Sequence, residues 1–130
     1  GRPALLLRSL VAGACALALL VAGCGGEDEK PPPGIDDVDT ITASVANIVF
    51  HCRSVQSGYL STVDEAALGR DVEALLAVAE SRDPDVEFRL PEGAVERAAT
   101  LRQEVALAAR LLEQDCSPED ARRLRDAVGD

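Results

Sequence analysis

The sequence predicts an all-α fold: a small up-down bundle of three main helices and a short fourth, with one extended crossover and one disulfide. Three observations predict it. Apolar residues recur at intervals of three and four along four separate segments, the spacing that lines one face of a helix. Only Phe50, Tyr59 and Phe88 are aromatic in 130 residues. The core must therefore be built from Leu, Val, Ile and Ala, whereas strands favour β-branched and aromatic residues. Finally, the one alternating run, Val86-Glu87-Phe88-Arg89-Leu90, has no second alternating run to pair with. A lone strand cannot satisfy its own backbone, so this run reads as an extended crossover with Phe88 plugging the bundle.

The first helix is expected over Asp36–Tyr59, with Val38, Ile41, Val45, Ile48, Val49, Cys52 and Val55 inward. Asp36, Asp37 and Asp39 stand at its start, where acids complement the helix dipole. The second opens at Thr62-Val63-Asp64-Glu65, a capping-box pattern, and carries Leu68, Val72, Leu75, Leu76 and Ala79 to its end near Ser81. The third is expected to be long, entered at Pro91 and Glu92, with Val95, Ala98, Leu101, Val105, Ala108 and Leu112 inward and its end at Asp115-Cys116. The fourth starts at Ser117-Pro118-Glu119-Asp120, with Ser at the N-cap, Pro at the first helical position and acids in the first turn. Ala121, Leu124 and Val128 form its inner face. These elements make one domain over residues 35–130.

Charge divides the chain. The formal net charge is −10, from 13 basic and 23 acidic residues. Arg2 and Arg8 are the only charged residues before Cys24, so the remainder carries −12. A surface this acidic repels phosphate backbones and anionic headgroups, which argues against a nucleic-acid partner. Between the two arginines and Cys24 runs an apolar stretch, Leu10 to Gly23. Its length of about 14 residues suits a signal-peptide core and falls short of the roughly 20 that span a bilayer.

The residues Leu20-Val21-Ala22-Gly23-Cys24 resemble the lipobox of bacterial lipoproteins: an aliphatic residue, then small residues, then cysteine. The resemblance implies a signal peptide over residues 1–23, cleavage before Cys24, and acylation of that thiol by chains such as palmitate. It places the mature protein on the extracytoplasmic face of the cell membrane. Each buried CH₂ of an acyl chain contributes about 0.8 kcal/mol, so two or three chains hold where one does not. Residues 24–34, the anchor cysteine followed by GGEDEKPPPG, read as a tether: flexible glycines, a charged quartet and a proline triplet that favours extended backbone. The Arg82-Asp83-Pro84-Asp85 turn and the Pro-capped helix after Cys116 resemble uncharacterised lipoproteins of GC-rich Gram-positive bacteria.

With Cys15 in the signal peptide and Cys24 acylated, Cys52 and Cys116 remain as a pair. In an oxidising compartment such a pair reads as a disulfide. In an up-down-up bundle the first and third helices run the same way, so Cys52 and Cys116 lie near one end and the bond can close. His51, the only histidine, precedes Cys52. Adjacent helical residues point about 100° apart, so the two do not form a nucleophile pair, and a catalytic zinc needs three protein ligands. The acidic groups Asp36, Asp37 and Asp39, or Asp83, Asp85 and Glu87, lack the spacing of a calcium loop. Arg122, Arg123 and Arg125 suit the last turn of the fourth helix. No catalytic residue, metal or cofactor is assigned. The expected function is a non-enzymatic interaction or envelope domain with a protein partner. The alternative is an accessory lipoprotein that binds a small ligand or cation for a transporter, for which a pocket beside Phe88 or between helices would speak. An enzyme built on His51 and nearby acids is the third and weakest reading.

Overall fold

The first helix begins where proline gives out. The computed structural model describes residues 29–130; the expected signal peptide and Cys24 fall outside the described residues. α1 spans Ile35–Gln56, ending three residues short of the expected Tyr59. Its N-cap is Gly34, whose N–H donates to Asp37 Oδ2 at 2.8 Å, so the third helical residue reaches back to an otherwise unpaired donor. Ile41, Val45, Ile48 and Cys52 form its buried stripe.

α2 spans Glu65–Ser81. Its cap is Asp64, whose carboxylate accepts from the Ala67 N–H at 3.1 Å, so the helix is capped two residues beyond the expected Thr62 and by a single side chain rather than a capping box. α1 and α2 run antiparallel. His51 near the end of α1 meets Asp64 at the start of α2, and Arg82 just past α2 meets Asp37 at the start of α1.

The segment after α2 overturns two expectations. Val86 to Leu90 is not an unpaired crossover. β1, Glu87–Glu92, pairs antiparallel with β2, Val95–Thr100, with Phe88 opposite Ala99 and Leu90 opposite Arg97. A two-residue turn, Gly93-Ala94, joins them. Its positive φ of 67° falls on Gly93, as in the type II′ turns whose twist matches paired strands. The long third helix is therefore split, and α3 spans only Leu101–Glu113. Val95 and Ala98, expected inward, are exposed. The helical spacing of Val95, Ala98 and Leu101 was coincidental. The true start is Thr100, whose hydroxyl accepts from the Gln103 N–H while the Gln103 side chain accepts from the Thr100 N–H. That is a full capping box. Phe88 does not plug the bundle; it is half-buried at the edge of the core, while Leu90 is buried. The fold is mostly helical with a small hairpin rather than purely all-α.

α4 spans Pro118–Ala127, with Ser117 at the N-cap and Pro118 first in the helix. Ser117 donates its hydroxyl to Asp120 Oδ2 at 2.8 Å, so the side chain serves the first turn's acid. The largest fully buried side chains are Ile41, Ile48, Leu75, Leu101, Leu112 and Leu124, drawn from all four helices of the described residues. Tight packing of these, with no aromatic ring fully inside, is what the composition demands.

Cys52 and Cys116 form a disulfide, with Cα atoms 5.6 Å apart and a sequence separation of 64. Next to it, the Gln56 amide donates to the Leu111 and Gln114 carbonyls at 3.3 and 2.8 Å. The C-terminal ends of α1 and α3 are thus held together, as expected for helices running the same way. Closing a loop of that size contributes on the order of 4 kcal/mol in the chain-entropy account. Pro31 to Gly34 belong with the folded unit, which covers Pro31–Asp130: the Asp83 N–H donates to the Pro31 carbonyl at 2.8 Å.

Candidate functional site

The helical end that holds the disulfide also holds the chain's lone histidine. Its ring is half-buried, and Nε2 accepts a hydrogen bond from the Asp64 backbone N–H at 3.1 Å. That contact fixes the start of α2 against α1 and occupies one of the two ring nitrogens. Cys52 beside it is fully buried and oxidised, so it offers no thiolate. The pair is a structural joint.

Several of the acids are likewise committed to the fold. Asp37 accepts from the Gly34 N–H and from Arg82 Nε at 2.7 Å. The Gly34 hydrogen bond first, then the guanidinium, holds its carboxyl below the usual carboxylate range. Arg102 donates to both oxygens of Asp85 at 2.8 and 3.1 Å and to Asp130 at 2.6 Å, tying the start of α3 to the α2–β1 loop and the C-terminus. The Arg102 hydrogen bond holds the Asp85 carboxyl low, and that of Arg125 does the same for Glu113. Asp83 Oδ1 accepts from the Asp85 N–H, an Asx turn. Arg123 bridges Glu73 and Asp120; Arg125 holds Glu113; Arg122 is exposed. Among the described residues no three of the His, Cys, Asp and Glu side chains converge to hold a metal. None of their helices is long and apolar enough to cross a membrane.

One region is not absorbed by the fold. Of the three aromatic side chains, two stand in solvent: Phe50 is 69 % exposed and Tyr59 80 %. Together with Val49, Arg53, Ser54 and Ser57 they line a shallow groove of about 720 Å³ at the end of α1. A phenylalanine on the outer face of a helix costs solvation without contributing to the core, and exposed apolar patches commonly mark contact surfaces. Arg53 is exposed there, and among the described residues it makes no salt bridge. A second groove, about 390 Å³, lies at the other end of α1 beside Phe88, walled by Pro33, Ile35, Val38, Asp39 and Pro91. It too opens broadly to solvent.

Of the cysteines expected to be functional, Cys52 and Cys116 meet in the structure, and Cys24 lies outside the described residues. Phe50 and Tyr59 are the residues that sequence alone presents only as sparse aromatics. The signal was present: Phe50 falls outside the three-and-four spacing of Ile41, Val45, Ile48 and Cys52, so a helix that buries that stripe must present Phe50 to solvent. No family model matches the chain, no curated protein matches it in sequence, and no solved structure matches it.

Proposed function

We propose that this chain is a lipid-anchored extracytoplasmic lipoprotein whose domain works by protein contact rather than catalysis. The address is supported by the Cys52–Cys116 disulfide, because such bonds persist where the compartment is oxidising. A lipobox ending at Cys24 would deliver the chain there. The observation that carries the mode of action is the groove in which Phe50 and Tyr59 are held out in solvent around Arg53. Apolar anchors and an arginine are the residue types that dominate binding at interfaces.

Metabolic labelling with an alkyne palmitate analogue tests the anchor. The wild-type chain should be labelled and sediment with membranes, and Cys24→Ser should be unlabelled; equal labelling of both refutes the anchor. For the mode of action, a photo-crosslinking amino acid at position 50 should form a protein adduct in intact cells. Adducts to lipid alone, or none, would count against protein contact. The groove beside Phe88 keeps the transporter-accessory reading in view, and a thermal-shift screen across metabolites and divalent cations decides it. A ligand of the native state raises the midpoint by mass action.

A further inference from the structure

We propose that the partner is a second copy of this chain, joined by antiparallel packing of α1 against α1 about a two-fold axis near Ala46. The proposal rests on reading the Phe50 groove as a contact surface and says what covers it.

The observation is the outer face of α1. From Thr40 to Cys52 the helix carries no Asp, Glu, Lys or Arg, although the sequence as a whole is 28 % charged. A solvated helix face normally carries charge; this one does not. Ile35, Asp39, Thr42, Ala46, Val49 and Arg53 follow one another at intervals of four, three, four, three and four. That is the seam spacing of two helices packing at a small crossing angle. All six are exposed or half-buried, and Ile35 is 83 % exposed. The Thr42 hydroxyl donates to the Val38 carbonyl at 2.8 Å, so it brings no unsatisfied polar group to the seam. Ala43 and Ala46 are both exposed, and small side chains let two backbones approach closely.

The ends select the partner. Asp39 and Arg53 lie seven residues either side of Ala46. Neither makes a salt bridge within the described residues. A two-fold axis at Ala46 sets Asp39 of each copy opposite Arg53 of the other and makes both pairs at once. The same operation sets exposed Ile35 against Ser57 of the partner copy, at the mouth of the groove lined by Phe50 and Tyr59. Phe50 in turn crosses Thr42 and Ala43 of the partner copy. A surface complementary to itself under a two-fold axis is the signature of an isologous interface. Antiparallel α1 helices also oppose their dipoles favourably. A net charge of −10 on each folded unit would keep two such domains apart elsewhere; this strip is where they can meet.

The test reverses the two charges in the acylated mature protein, purified in detergent, with mass read by sedimentation across a concentration series. Wild type should dimerise. Asp39→Arg alone and Arg53→Asp alone each replace two attractive pairs with two repulsive ones and should weaken the dimer on the order of tenfold. Mixing the two variants, or combining both changes in one chain, restores opposite charges across the axis and should recover wild-type affinity. Both positions are exposed, so circular dichroism should match wild type throughout. A monomer at every concentration, a dimer indifferent to the single reversals, or failure of the mixture to recover would each overturn the proposal. The crosslinker at position 50 separates the two levels. An adduct of twice the chain mass supports self-association. An adduct to another protein sinks the second copy while leaving protein contact intact, and no protein adduct sinks both.

Discussion

Arg97 sits on the core side of the hairpin, half-buried opposite Leu90, where an apolar residue would be expected. Its reason lies on α3. Glu104 is only 4 % exposed, and Arg97 Nη1 donates to Glu104 Oε2 at 3.1 Å while Nε donates to Glu92. The partly exposed guanidinium reaches inward to the buried acid. Truncating Arg97→Ala leaves that carboxylate buried without its cation and should cost about 1–2 kcal/mol, less than a fully buried pair because Arg97 faces solvent on one side. Glu104→Gln in the Arg97→Ala background should recover most of the loss, measured as the urea midpoint. A loss unchanged by that second substitution would show the stem's packing, not the charge, to be responsible. Nothing in the spacing of Arg97 or Glu104 announced their pairing, since seven residues and a strand-to-helix junction separate them.

At the scale of elements, the hairpin turns on one residue. Gly93 has φ of 67°, and a side chain built there would meet nothing within 4 Å. Its constraint is therefore backbone conformation alone. Gly93→Val should cost at least about 1 kcal/mol through that strain, and Gly58, at φ 86° in the α1–α2 loop, offers the comparison: valine there meets equally open space but lies outside any paired strand. Urea unfolding of both variants measures the difference, and an undiminished stability for Gly93→Val would discount the type II′ reading. The four helices, the end of α2 at Ser81 and the Pro118 start of α4 were legible because periodicity and caps are local. The hairpin was not. β2 lacks alternation, and its reading as helix followed from Val95, Ala98 and Leu101 falling at three-residue spacing. Only pairing with β1 supplies the backbone hydrogen bonds that make the extended form win. The Thr100 and Gln103 capping box was the local signal for the start of α3, and the expected entry at Pro91 and Glu92 overlooked it.

For the whole molecule, carboxylates hold the elements to one another. Asp37 ties α1 to the end of α2, Asp85 ties the α2–β1 loop to α3, and Glu113 ties the end of α3 to α4. Each has its acid strength increased by its partners in the folded state. A carboxyl depressed on folding contributes stability above its unfolded pKa, near 4, and loses it as pH falls through the folded value. The melting temperature should therefore hold from neutrality down to about pH 5 and drop below about pH 4. Acidification also relieves the repulsion of a −10 chain, so the informative quantity is the gap between wild type and Asp37→Asn. That gap should close as pH falls through the acid range; a gap independent of pH would remove Asp37's charge from the account. By itself the sequence determined what is local or compositional: helical segments, most of their ends, an acidic surface, and the cysteines available to pair. The tertiary structure alone decided which acid meets which arginine, that β2 is a strand, and that Phe50 and Tyr59 share one outward groove. Caps and periodicity act within a few residues, where the chain's order is the chemistry. Pairing and exposure depend on neighbours brought together from distant positions, which only the folded packing selects.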